Sequence, residues 1–277
     1  MAEVAAKKTR VGVVQMTSRE VVDDNLAAAS RLVAQAAEEG AALAVLPECF
    51  AYLGPEAGKL DIAEPLPDGG PILDRCRELC RDHGIELVLG GFWERGRAPD
   101  KVRNACIHLG VDGDVRAVYR KIHLFDVDLP DGTHLAESET VEPGTEAVST
   151  DAPFGRLGLT VCYDVRFPEL YRALVDQGAV ALAIPAAFTL QTGKDHWHVL
   201  LRARAIEAQC WVLAAAQTGH HYGPRRSYGH ALIVDPWGTV RAECGEGEGV
   251  AVATVDPELV ASVRASVPSL RHRRLGF

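Results

Sequence analysis

RLGLTV (156–161) reads as a buried strand that delivers the chain directly to Cys162, and PELYRALVDQG (168–178) reads as the helix that follows. Working outward from this stretch, the same alternation recurs. Downstream, AVALAIP (179–185) is a strand, HVLLRARAIEAQC (198–210) a helix and WVLAAA (211–216) a strand. Upstream, TRVGVVQ (9–15) and ALAVL (42–46) are buried strands. Between them NLAAASRLVAQAAEEG (25–40) is an amphipathic helix, with a cap expected from Asp23, Asp24 and Asn25 and a stop at Gly40. A further helix over 71–83 ends at Gly84, and IELVLGGFW (85–93) is the next strand. Many of these strands are apolar on both faces, so helices must cover them. Two stretches depart from the pattern and read as hairpins: 104–121, turning at Asp112-Gly113, and 230–244, turning at Pro236-Trp237-Gly238. GVAVATV (249–255) adds a last strand. The stretch 122–155, rich in Pro, Asp, Glu and Gly, reads as a long loop, and loops of that length in compact domains usually serve function. With no repeat and no linker, the pattern predicts one layered α/β domain over 1–277.

Composition narrows the function. The 277 residues carry 29 basic and 38 acidic side chains, a net charge of −9, which disfavours a nucleic-acid partner. Apolar runs are broken well before they could span a bilayer, so no membrane partner is expected. MAEVAAKKTR (1–10) has no apolar core of a signal peptide, and the seven cysteines are odd in number. Both features point to free thiols and a cytoplasmic setting. Cys76 and Cys80 sit four apart on a helix, and His196 and His198 open a helical pattern in which their imidazoles diverge. Neither pair makes a metal site, and no metal is expected.

Functional groups in open α/β folds collect past the carboxyl ends of strands. Glu48 follows ALAVL, Lys121 follows RAVYR, and Cys162 follows RLGLTV. Taken singly, each has an ordinary reading: a solvated turn carboxylate, a surface ammonium, a packed thiol. Together they supply what attack on an amide carbonyl needs, namely a nucleophile, a base and a cation for the oxyanion. A thiol just ahead of a helix and beside a lysine is expected to ionise more easily. Glu48 can take the thiol proton and deliver it to the leaving amine. Lys121 and the backbone N–H of Tyr163 can form the oxyanion hole. No G-x-S-x-G elbow, P-loop or dinucleotide fingerprint competes with this set.

LPECF (46–50), YRKIHLFD (119–126) and GLTVCYDVRFPELYR (158–172) resemble the motifs of the nitrilase superfamily of carbon–nitrogen hydrolases. The resemblance runs from VGVVQM (11–16) to DPWGTV (235–240). It implies a four-layer α-β-β-α sandwich, no cofactor, and an acyl-enzyme mechanism. Glu48 is then the general base, Lys121 the oxyanion stabiliser and Cys162 the nucleophile. Glu137, in LAESET (135–140), best matches a further family glutamate, with Glu139 close by. PAAF (185–188), HWHVLLRARAIEAQCWVLAAAQTG (196–219) and SYGHALIVDPWGTV (227–240) resemble the Nit branch. The substrate implied is a small α-keto-acid amide, with deaminated glutathione, cleaved to α-ketoglutarate and cysteinylglycine, ahead of ω-amidase substrates. Carbamoylase, aliphatic amidase and nitrilase specificities stay open, as does a non-catalytic binding protein on the same scaffold. A homodimer or higher homo-oligomer is also implied. For the anionic acyl group Arg166 is the candidate cation, the other reading being an ion pair with Glu169 or Asp164. Phe188 and Thr192 are candidate substrate contacts. His220, His221, Arg225 and Arg226 crowd one loop, which faces either the cysteinylglycine half or solvent.

Overall fold

A computed structural model describes residues 6–128 and 134–275. One sheet contains β1 (Thr9–Met16), β2 (Leu43–Leu46), β3 (Glu86–Arg95), β4 (Val102–Leu109) and β5 (Val115–Arg120) in sequence order. β6 (Asp126–Asp128) and β7 (His134–Ala136) pair as a separate small ribbon. The second sheet takes β8 (Val148–Ala152), β9 (Gly155–Leu159), β10 (Ala181–Ala183) and β11 (Trp211–Ala214). β12 (Ala216–His220) and β13 (Arg226–Tyr228) return to the first sheet, where β12 lies parallel to the end of β1. β14 (Leu232–Val234) and β15 (Val240–Glu243) complete the second sheet beside β11, and β16 (Gly249–Val255) runs antiparallel along β1. Each sheet has a parallel centre, β1-β2-β3 and β9-β10-β11, and antiparallel flanks.

Side-chain alternation sets the layers. In β1, Val11 and Val13 point into the core shared by the two sheets, while Val14 and Met16 point out under α1 (Val22–Glu38) and α3 (Pro71–His83). Between them lies the short α2 (Gly58–Ile62). α4 (Pro168–Asp176) and α5 (Leu190–Ala208) cover the second sheet through Leu170, Leu174, Trp197 and Leu201. The result is the expected α-β-β-α sandwich, with α6 (Pro257–Ser266) following β16. Among the described residues no helix is long and apolar enough to cross a membrane.

Four local readings need correction. The 122–155 stretch, apart from 129–133, which lie outside the described residues, is not a plain loop: it holds β6, β7, a 3₁₀ turn at Glu137–Glu139, and β8. These strands are short and polar and carry no apolar alternation. WVLAAA is not one strand, because the chain passes from the second sheet to the first between Ala214 and Ala216. α5 begins at Leu190 rather than near His198, opened by Thr189, whose hydroxyl accepts from the Thr192 N–H. The Asp23, Asp24 and Asn25 cluster does not cap α1; the cap position is Val21. Asn25 is instead buried, bonding both Arg19 backbone groups and the Ala51 carbonyl.

Two antiparallel steps, β3 to β4 to β5, turn β5 back to the direction of β2. The carboxyl ends carrying Glu48 and Lys121 therefore open on the same edge. A bulge in β3 at Gly90-Gly91 lets that edge close. Gly91 has φ +59°, and a Cβ there would lie 2.4 Å from the Cys49 nitrogen and 2.7 Å from Glu48 Cγ. Gly91→Ala is expected to lower stability by about 2 kcal/mol or more and to displace Glu48. Denaturant unfolding measures the first effect, and an unchanged midpoint contradicts the packing described.

Candidate active site

Polar anchors hold each element end in place. The turn after β2 is pinned by Ser18 Oγ donating to the Phe50 carbonyl at 2.8 Å and by Gln217 Nε2 donating to the Glu48 carbonyl at 3.0 Å. Asp164, fully buried, accepts from Tyr119 Oη (2.7 Å), the Val161 N–H (2.8 Å) and the His123 N–H (3.2 Å). That carboxylate fastens the chain around Lys121 to the turn that carries Cys162. Cys162 itself has φ 48°, and its N–H donates to the Pro185 carbonyl at 2.9 Å.

On this frame Glu48, Lys121, Glu137 and Cys162 meet in one cavity of ≈260 Å³. Lys121 Nζ donates to Glu48 Oε1 at 3.0 Å and to Glu137 Oε2 at 2.8 Å. Glu48 Oε2 accepts the Ala187 N–H at 2.9 Å. Glu137 Oε2 also accepts the Phe125 N–H at 2.7 Å. Of the two neighbouring glutamates it is Glu137 that bonds the lysine; Glu139 lines the cavity farther out.

The electrostatics follow from burial and partners. Burial pushes the Glu48 carboxyl up, but Lys121, a hydrogen bond with the Cys162 thiol and the Ala187 N–H outweigh it and hold it below its ordinary value. Burial pushes the Lys121 ammonium down, yet Glu137 and Glu48 together lift it well above the usual lysine range. Burial and then Glu48 raise the Cys162 thiol well above the ordinary value. This reverses the expected ease of ionisation. The segment after Cys162 is a five-residue 3₁₀ turn, Cys162–Arg166, not an α-helix, and the adjacent lysine charge is already shared by two carboxylates. The resting arrangement is a neutral thiol beside an ionised base.

Tyr163, Arg166, Phe188 and Thr192 line the same cavity. Arg166 forms no ion pair with Glu169 or Asp164 among the described residues. Its guanidinium packs over Phe188 (5.2 Å) and Tyr163 (5.8 Å) and reaches His196 Nδ1 at 3.4 Å. His221 is not solvated. Its Nδ1 donates to the Ser18 carbonyl, its Nε2 accepts from Ser227 Oγ, and burial brings its pKa down to about 4. His220 and Arg226 are exposed.

Of the loop expected to face either the cysteinylglycine half or solvent, Arg225 lines the cavity and donates to the Ala187 carbonyl at 2.8 Å. Two further participants were not legible in the sequence. Tyr222 stands beside Arg225 on the cavity wall. Asn104, 1% exposed, bonds both Glu48 and Glu137.

Cys76 and Cys80 are buried packing thiols. His196 and His198 diverge, the latter joining His230 at Glu243 Oε1. Those contacts, 2.9 and 2.6 Å, are tighter than the ~3.3 Å separating ligands around a tetrahedral zinc, so the trio reads as a closed hydrogen-bonded cluster.

Residues 10–265 match the family model described as carbon-nitrogen hydrolase. The chain belongs to that family, as its resemblance to the nitrilase superfamily led one to expect. It is 46% identical over 269 residues to deaminated glutathione amidase of Homo sapiens, covering 95% of this chain and 82% of that protein. It is 45% identical over 262 residues to deaminated glutathione amidase of Synechocystis, covering 94% and 96%. The crystal structure of the C. elegans NitFhit protein superposes with a TM-score of 0.91 at 42% identity. That match covers 98% of this chain and 66% of that longer one.

The cavity opens on Cys162 and Cys49, and burial raises the thiols of both. Only Cys162 hydrogen-bonds the Glu48 side chain. Iodoacetamide at pH 7 is expected to add a single label on Cys162, and Glu48→Gln to slow that labelling about 10-fold or more. Peptide mapping after timed quenching reads both; equal labelling of Cys49 contradicts the assignment.

Proposed function

We propose that this chain is a thiol amidase that hydrolyses deaminated glutathione to α-ketoglutarate and cysteinylglycine. One observation carries the reading: the Glu48 carboxylate is bonded at once by Lys121, the Ala187 N–H and the Cys162 thiol. A base already hydrogen-bonded to a neutral thiol can take its proton as sulfur attacks. The new C–S bond pushes the carbonyl electrons onto oxygen, where Lys121 and the Tyr163 N–H stabilise the charge. Glu48 returns the proton to the nitrogen as the C–N bond breaks. Water then replaces the amine: Glu48 takes its proton, hydroxide attacks the thioester, and the thiol is re-formed. Glu137 holds Lys121 charged and aimed throughout.

The substrate choice rests on the relatives and on charge. Deaminated glutathione carries two carboxylates, one on each side of the scissile amide. Besides Lys121, the cavity presents two guanidiniums, Arg166 and Arg225. Arg166 is assigned to the keto-acid carboxylate and Arg225 to the glycine carboxylate. Phe188 and Thr192 form the wall beside the acyl half. We further propose that the chain works as a single domain, as a homodimer or higher homo-oligomer, in the cytoplasm, with no cofactor.

Cys162→Ser and Cys162→Ala are expected to lose about 10³-fold or more in kcat/KM with deaminated glutathione. Substantial turnover by either removes the assigned nucleophile. Side by side, kcat/KM should rank deaminated glutathione above α-ketoglutaramate, an N-carbamoyl amino acid and a nitrile; α-ketoglutaramate ranking first would make the chain an ω-amidase. Arg166→Leu should raise KM about 10-fold or more for keto-acid amides with little change for a neutral amide.

The pH dependence follows from Glu48. Its carboxyl titrates below the ordinary 4.5, so the base stays ionised until the pH falls past that value. The acid limb of kcat/KM is therefore expected below pH 4.5, wherever the fold persists; a limb near pH 6 or above contradicts this assignment.

A further inference from the structure

The two active-site carboxylates share a single ammonium, which leaves the cluster one negative charge in excess. Something other than a cation must satisfy their remaining lone pairs. Asn104 does this with one group. Its Nδ2 stands 3.0 Å from Glu48 Oε1 and 3.2 Å from Glu137 Oε1, so each N–H serves one carboxylate. The amide cannot be turned round, because its oxygen would then face two carboxylates. Its backbone carbonyl meanwhile accepts the Lys121 N–H at 2.9 Å, fixing the strand end from which the ammonium projects.

The other end of the same amide shows what this orientation sacrifices. Asn104 Oδ1 is buried with no hydrogen-bond partner. A buried acceptor left unpaired works against stability, and such groups call for an explanation outside it. The explanation lies at Nδ2, which has no alternative orientation. Asn104, 1% exposed, enters from β4 opposite Trp93.

We infer that Asn104 is a positioning residue: through its side-chain amide it keeps Glu48 and Glu137 aimed at Lys121, and so sets the basicity of Glu48, the group that activates Cys162. This rests on the reading of Glu48 as the base. It follows that removing the amide weakens the ionised form of Glu48 relative to the protonated form, and the base then titrates at higher pH.

The test compares wild type with Asn104→Leu, Asn104→Asp and Asn104→Gln. The first reading is the pH-rate profile for alkylation of Cys162 by iodoacetamide, which needs no amide substrate. Asn104→Leu is expected to move the acid limb upward by at least one pH unit. Asn104→Asp, close in size but an acceptor once ionised, should move the limb at least as far. Asn104→Gln, which keeps the amide on a longer stem, should recover part of the shift. With deaminated glutathione, kcat should fall in Asn104→Leu while KM stays within about threefold, and the melting temperature should not drop. An acid limb in Asn104→Leu that superposes on wild type overturns the inference, even if activity is lost, since a packing defect slows turnover without moving that limb. Should Asn104→Leu fail to fold, the Asp and Gln variants decide by the same profile: coincident limbs overturn the inference and separated limbs support it. If wild type labels at Cys162 but does not hydrolyse deaminated glutathione, the substrate assignment fails, and the alkylation profiles still decide the role of Asn104.

Discussion

Two carboxylates around one buried ammonium are the constraint on which this site is built. Lys121 is 2% exposed, and such an ion is tolerable inside a protein only if its charge is met at hydrogen-bonding distance. Glu48 and Glu137 meet it from two different parts of the chain, 73 and 16 residues away in sequence. The excess negative charge then falls on the surroundings. The Ala187 and Phe125 N–H groups and the Asn104 amide absorb part of it. The Cys162 thiol keeps its proton first because it is buried and then because it faces the Glu48 carboxylate. A neutral thiol beside an ionised base thus follows from burial and from the ion cluster together.

The fold supplies these groups by geometry that is simple to state. Two sheets with parallel centres place their carboxyl ends on a common edge, and the β3-β4-β5 meander returns Lys121 to it. The second sheet contributes Cys162 and, across the Pro185 turn, the Ala187 N–H. Buried polar groups lock the parts together where apolar packing cannot set direction. Asp164 joins the lysine segment to the thiol turn, and Gln217 joins the crossover strand to the Glu48 turn. The crossover between β11 and β12 means that neither sheet can shift without moving the other.

Much of this was legible in the residues. The buried strands, most helices and both hairpins follow from period and turn chemistry. Glu48, Lys121 and Cys162 stand out because each sits just past a strand, and their convergence on one cavity matches that reading. What stayed hidden had a physical reason. The polar strands β6 and β8 carry no alternation to detect. The first turns of α5, from Leu190, include Thr192 and Gly193, whose weak helix preference the fold overrides. Asn25 has a capping residue's chemistry but spends it on two loops. The thiol's direction of shift could not be read, because it depends on how deeply Cys162 is buried and on the Glu48 carboxylate that the fold brings beside it. Asn104 is set by a contact 56 residues away, and the choice between cavity and solvent for Arg225 by one 38 residues away, which no local pattern encodes.

The measurement that bears most directly on the account is mass analysis of the enzyme quenched during turnover of deaminated glutathione. An α-ketoglutaryl thioester on the peptide containing Cys162, growing in before steady state and decaying as substrate is spent, is the predicted result. Turnover with no acyl group on any thiol, or with the group on Cys49, contradicts it.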